Sequence, residues 1–147
     1  KIVTKHRINT MKKFLLLCLA ISLFCFSQST IFAQDASTLK TEGKGLHDGG
    51  DYAGAIAKFD AAVAADATNG ETYYLRGRSK AAKQDDKGAL ADFNKAVELG
   101  VNSGELYRLK AFSECFTGNK DQGCKDFVKA IELGGTQAAD LKERFCD

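Results

Sequence analysis

The 147-residue chain has no proline, no tryptophan, one methionine and two histidines. Without proline nothing removes a backbone N–H from the interior of a helix, and alanine recurs through long periodic stretches, so helix is favoured. No segment reads as a strand with a following turn, and β-branched residues are scattered; an all-α chain is expected. The five cysteines include no Cys-x-x-Cys pair, which argues against a metal site. A glycine-rich phosphate loop is also missing, since Gly43-Lys44-Gly45 falls inside a helical pattern and not between strand and helix. No apolar run reaches the roughly 20 residues that a membrane-spanning helix needs.

What is present differs between the first third and the rest. Lys12-Lys13 is followed by an apolar stretch from Phe14 to Phe26, a polar Ser27-Gln28-Ser29-Thr30 and then Ile31-Phe32-Ala33. That order is the pattern of a secretory signal, expected over 11–33 with cleavage near Ala33. Residues 1–10 precede Met11 and are expected to be an upstream extension. The leader and extension hold five basic residues (Lys1, Lys5, Arg7, Lys12, Lys13) and no acidic ones. They leave 16 of the 21 basic residues against all 19 acidic ones. The positive net charge therefore belongs to the leader and gives no argument for nucleic-acid binding.

A 34-residue period organises the remainder. Phe59, Phe93 and Phe127 stand one period apart. So do Ala62, Ala96 and Ala130; Val63, Val97 and Ile131; and Ala55, Ala89 and Gly123. In the first half of each unit, Leu39 aligns with Tyr73 and Tyr107, and Gly43 with Gly77 and Ala111. Six columns in one register define a repeat. Each unit reads as two helices. Ala55, Ile56, Phe59, Ala62 and Val63 share one helical face, and the small columns let two backbones approach around the phenylalanine. Gly49-Gly50-Asp51, Gln84-Asp85-Asp86 and Gly118-Asn119 supply the turns within the pairs, and Gly-containing segments end each unit.

With these residues in place the chain resembles the tetratricopeptide repeat. Tyr73-Tyr74-Leu75-Arg76-Gly77 and Ala89-Leu90-Ala91-Asp92-Phe93-Asn94-Lys95-Ala96 are the nearest matches. The expected fold is an all-α, right-handed superhelix (an α-solenoid) of three such helix pairs, over 36–69, 70–103 and 104–137, plus a capping helix over 138–147. The cap follows because a repeat stack otherwise leaves its last apolar face open. The proline common after the second helix of family members is replaced by Ala67, Val101 and Gly135. Leu46 has Lys80 and Glu114 as counterparts, where the family usually has an aromatic.

The resemblance implies a concave face lined by the first helix of each pair. Projected onto this chain it gives Lys40, Lys44 and His47, then Tyr74, Leu75, Arg78 and Ala81. The third pair offers Glu105, Arg108, Leu109, Phe112 and Phe116. A basic strip of Lys40, Lys44, Arg78 and Arg108 then runs beside an apolar one of Tyr74, Leu75, Leu109 and Phe112. The ligand this suits is a peptide with acidic and apolar side chains; ordinary solvated helix faces are the bland alternative. The clamp by which a chaperone-tail-binding subfamily grips a terminal carboxylate is not expected. Only Lys40 matches it, while Lys44, Leu75, Glu105 and Leu109 stand where it wants Asn, Asn, Lys and Arg.

Three cysteines follow the leader. A cap antiparallel to the preceding helix brings Cys124 and Cys146 together, and small envelope proteins with this repeat in Gram-negative bacteria carry cysteines at those places. Such a bond would close a loop of about 20 residues and contribute roughly 3 kcal/mol. A Cys115–Cys124 bond and three reduced thiols remain the alternatives. No catalytic residue, metal or cofactor is expected. His47 follows the leader as the only histidine and reads as a solvated residue before a turn, and Asp85, Asp86, Asp92 and Glu98 are assigned to helix ends and outer faces. The expected function is a non-catalytic protein–protein interaction module of the bacterial cell envelope, periplasmic or secreted, monomeric or weakly self-associating. It would have no nucleic-acid partner and no membrane span once the leader is removed. The alternatives are a structural, self-associating component of an envelope complex and a thiol enzyme acting through Cys115.

Overall fold

Helix starts in this chain are set by short polar side chains. A computed structural model describes residues 35–146, and the readings over 1–10 and 11–33, with the cleavage near Ala33, lie outside the described residues. The helices are α1 (35–48), α2 (Tyr52–Ala65), α3 (Gly70–Ala82), α4 (Asp86–Glu98), α5 (Gly104–Phe116), α6 (Lys120–Glu132) and α7 (Ala138–Cys146). Asp51, Asn69, Asp85 and Ser103 each accept a hydrogen bond from the backbone N–H three residues on, at Gly54, Thr72, Gly88 and Leu106. Each such cap stabilises by about 1 kcal/mol. Asn119 stands at the same place before α6 without a side-chain cap bond.

The turns inside the pairs repeat as well. Gly50, Gln84 and Gly118, one period apart, all take positive φ, at 83°, 63° and 88°. Glycine meets this left-handed requirement without a Cβ penalty; Gln84 meets it at a cost.

Packing follows the chain. α3 lies on α4 and α5 on α6, while α2 meets α3, α4 meets α5 and α7 covers α6. The first helices also adjoin, because α3 contacts α5 and α1 bonds to α3 through Lys40–Glu71 and His47–Ser79. Phe59, Phe93 and Phe127 are 0% exposed and fill the space between helices. A Cβ on Gly43 would lie 2.7 Å from the Phe59 ring, and one on Gly77 2.7 Å from Phe93, so both rings depend on a bare backbone opposite them. At the end of the stack Ala138 is fully buried, and Phe145 stacks on Phe127 at 6.3 Å between ring centroids. Three helix pairs and a terminal helix make this an α-solenoid, with no strand among the described residues.

Each pair is also tied by charge. Glu42–Lys58 (2.6 Å), Arg76–Asp92 (2.6 Å) and Lys110–Asp126 join the two helices of successive pairs at equivalent positions, and the first has its sign reversed. Asp92, expected on an outer face, is 4% exposed between α3 and α4, because Arg76 and Lys80 pair with it there. In α5, Glu114 occupies the column of Lys80. It is buried with one oxygen on Lys110 (2.8 Å), and its Oε2 finds no hydrogen-bond partner among the described residues. Burial pushes the Glu114 carboxyl above the usual carboxylate range; Lys110 opposes this and the Asp126 charge adds to it. Burial disfavours the Lys110 ammonium, but its hydrogen bonds to Asp126 and Glu114 outweigh that and hold its pKa above the ordinary lysine value.

Candidate functional site

The inner side of α3 and α5, with the end of α1, encloses a cavity of 320 Å³ lined by His47, Arg78, Glu105, Arg108, Leu109 and Phe112. Asp86, at the start of α4, closes one side. A second cavity of 490 Å³ shares Ala81, Asp86 and Phe112 with the first and adds Gln84 and Phe116. The two make one trough, polar and cationic near His47 and aromatic near Phe116.

Of the projected groove residues, the structure brings together Arg78, Arg108, Leu109 and Phe112. Arg78 makes no ion pair among the described residues, and its guanidinium lies 5.8 Å from the centroid of the Tyr74 ring. Tyr74 is half-buried, packed toward Phe93 at 6.3 Å; burial raises its pKa and Arg78 opposes the rise. Arg108 is forked onto Glu105, with Nε to Oε2 at 2.8 Å and Nη2 to Oε1 at 2.5 Å. That pair is formed on one helix, three residues apart, so the carboxylate offsets part of the charge the strip was expected to present.

Four projected residues stand elsewhere, and one of them, Tyr74, packs against the core and lines neither cavity. Leu75 is 6% exposed and belongs to the core with Ala55 and Phe59. The helical turn that points Arg78 toward the trough points Leu75 between α2 and α3, so its place in the apolar strip is corrected. Lys40 is tied to Glu71 at 2.5 Å, which holds the Glu71 carboxyl below its ordinary pKa. Lys44 is exposed, and neither lysine lines the cavity. The basic strip is thus shorter than projected and centred on Arg78.

His47 takes its projected place on the groove, but it is not the solvated residue its position before a turn suggests. It is half-buried and lines the cavity, with Nδ1 2.9 Å from Ser79 Oγ and its ring edge-on to Tyr52 at 5.2 Å. Burial, then the Arg78 charge, lower its pKa against a smaller opposing pull from Asp48. Ser79 is fully buried and its hydroxyl donates to the Leu75 carbonyl at 3.1 Å. With that hydroxyl directed at the carbonyl, the Ser79 oxygen is placed to accept from Nδ1–H of His47, a contact that positions the ring. Among the described residues no group of three or more His, Cys, Asp or Glu is placed to hold a metal ion. None of the described helices is long and apolar enough to cross a membrane.

Cys124 and Cys146 form a disulfide with their Cα atoms 5.7 Å apart, tying the end of α7 to the first turns of α6. Cys115 is free, and its thiol is pushed up in pKa by burial, then by Glu114, with Lys120 opposing. It packs beside Gly123, where a Cβ would come 2.7 Å from its Sγ.

Compared by sequence, the chain matches no family profile and no curated protein. Compared by structure, it is similar to many solved chains. The first tetratricopeptide domain of Spaghetti (RPAP3), bound to the HSP90 peptide SRMEEVD, is 22% identical with a TM-score of 0.70, covering 77% of this chain and 94% of that one. An Arabidopsis OM64 tetratricopeptide domain is 17% identical with a TM-score of 0.71, at 77% and 94% coverage. MamA is 22% identical with a TM-score of 0.67, at 75% and 67% coverage. These likenesses establish the tetratricopeptide-repeat fold.

Proposed function

We propose that this chain is a non-catalytic protein–protein interaction module whose trough takes a peptide segment with acidic and apolar side chains. The observation that carries the reading is the cavity itself: Arg78 free of carboxylate partners among the described residues, beside Leu109 and Phe112. A partly desolvated arginine next to apolar surface recognises a carboxylate more strongly than an exposed lysine would. The structural neighbour with a bound acidic peptide supports the same use of the fold. We place the module in the bacterial cell envelope, periplasmic or secreted. That location is supported by the basic–apolar–small order of 11–33 and by a disulfide, a bond at home in oxidising compartments.

The experiment is selection of peptides from a random display library on the purified protein, repeated on Arg78→Glu. Acid-rich peptides that bind the parent and lose at least tenfold in affinity on the variant are the expected result. Binding untouched by the charge reversal would remove the trough from the interaction. Expression with the leader intact, followed by fractionation and N-terminal sequencing, tests the location; an uncleaved cytoplasmic product would overturn it.

A second reading is self-association. Val128 and Ile131 are each 42% exposed on α6, whereas Val63 and Val97, in the column of Ile131, are half-buried. Light scattering decides: a stable homo-oligomer dispersed by Ile131→Lys favours this role.

A further inference from the structure

The aromatic end of the trough does not belong to the repeats alone. Phe112 and Phe116 line the 490 Å³ cavity, and Phe116 is 58% exposed there. Their rings lie 4.7 Å apart, and both meet Phe145 of the terminal helix, at 5.6 Å from Phe112 and 5.9 Å from Phe116. Phe145 in turn stacks on the buried Phe127. Its neighbour in sequence, Cys146, is the residue bonded to Cys124.

We propose that Phe112 and Phe116 form the subsite for a bulky apolar side chain of the ligand, and that Phe145, held by the Cys124–Cys146 bond, positions them. The proposal rests on the peptide-binding reading above and deepens it. The occupant is an aromatic or long aliphatic residue adjoining the acidic residue that Arg78 takes, because the two cavities are continuous through Ala81, Asp86 and Phe112. An exposed phenylalanine tilted against one ring and edge-on to another offers apolar area to a partner, and its rotamer is held only if the ring behind it stays in place. α7 has only nine residues, too few to hold a helix without tertiary contacts, so its hold on Phe145 depends on the packing of Ala138 and on the disulfide. The bond is consequently an affinity determinant. A dithiol reductant transfers two electrons to it, the sulfurs take up two protons to become the Cys124 and Cys146 thiols, and the reductant leaves as its own disulfide. Phe145 is then released from the rings it supports.

The test uses peptides selected on the oxidised full chain, each resynthesised with its bulky residue intact and with that residue replaced by alanine. Affinity is measured for the parent, for the dithiothreitol-reduced parent, and for Phe116→Ala, Phe145→Ala and the Cys124→Ser/Cys146→Ser double variant. Expected is a loss of roughly tenfold in each case for the intact peptide, and little change for the alanine peptide, whose affinity is already low. Phe116→Ala removes an exposed ring, so it keeps the comparison open if the α7 variants fail to fold. Equal losses for both peptides would show a merely structural role, and unchanged affinity on all variants would overturn the subsite while leaving the Arg78 reading intact. Failure to select any peptide overturns both. Alkylation before reduction, mapped by mass spectrometry, is expected to label Cys115 and to spare Cys124 and Cys146; labelling of these two would overturn the role given to the bond.

Discussion

In the second helix pair Asp92 lies between two cations, Arg76 and Lys80; in the third, Lys110 lies between two carboxylates, Asp126 and Glu114. The columns are the same and the charge balance is opposite. Pair two has a further acid in reach, Asp60 at 2.7 Å from Arg76, so its two cations meet two acids. Pair three has one cation for two acids, helped by Gln122, which donates to Asp126 at 3.3 Å. It also keeps a Glu114 oxygen and a Ser113 hydroxyl without hydrogen-bond partners among the described residues. The pair with the poorer polar compensation is the one to which the disulfide is attached. Identical backbone geometry therefore does not imply equal stability along the stack.

The largest expected effect follows from removing the central cation of pair three. Lys110→Met leaves two buried acids without a cation and is expected to cost about 3–5 kcal/mol. Lys58→Met, in the solvent-exposed first pair, should cost less than about 1 kcal/mol. Urea denaturation of the two variants tests the contrast, and equal losses would break it.

Glu114→Gln keeps an acceptor for Lys110 and removes the excess charge, so it should stabilise by about 1 kcal/mol at neutral pH. Its pH dependence has a definite sign. The native Glu114 pKa is raised, so the protonated form is favoured by folding. Its contribution is fully present below the unfolded value of about 4.3 and is lost as pH rises through the higher native value. The variant should lack this decline; a parent whose stability rises monotonically over that window, with no difference from Glu114→Gln, contradicts the charge-balance account.

The smallest effect concerns the turns. Gln84 holds a left-handed backbone where Gly50 and Gly118 stand in the other pairs, and its own N–H already bonds to the Ala81 carbonyl at 2.9 Å. Gln84→Gly should stabilise by somewhat under about 1 kcal/mol, since relief of strain is partly offset by greater freedom in the unfolded chain. Thermal melting of this variant beside Gly118→Gln, expected to lose a similar amount, measures whether the two turns are equivalent.

Much of the fold was legible because the period speaks through large and small residues together. A buried Phe59, Phe93 or Phe127 needs Gly43, Gly77 or an equally bare partner opposite, and both columns are visible in the letters. The ion pairs were legible in principle and were passed over. Glu42, Arg76 and Lys110 stand 16 residues before Lys58, Asp92 and Asp126, opposite in sign every time, and that recurrence is a contact signal within one sequence. The site was less readable. Projecting a helical face tells which side a residue takes to within a turn, which was enough for Arg78 and Arg108 and too coarse for Leu75, one step around the helix from the trough. It could not show Lys40 committed to Glu71, because that contact joins α1 to the following pair across 31 positions. His47 stands on the groove as projected, but its half-burial was not readable because its partner, Ser79, lies 32 positions away on α3.

The reversed sign in the first pair has a consequence for how the chain finds its register. Three units alike in size and shape invite a helix to dock one repeat away from its proper mate. Were α1 to settle on α4, Glu42 would face Asp92; were α3 to take α2 by the same contacts, Arg76 would face Lys58. Both of these slipped docks set like charges against one another, where the native docks pair Glu42 with Lys58 and Arg76 with Asp92. The letters that make the first unit unequal thus act as an address, keeping α1 and α2 to one another and off the later helices.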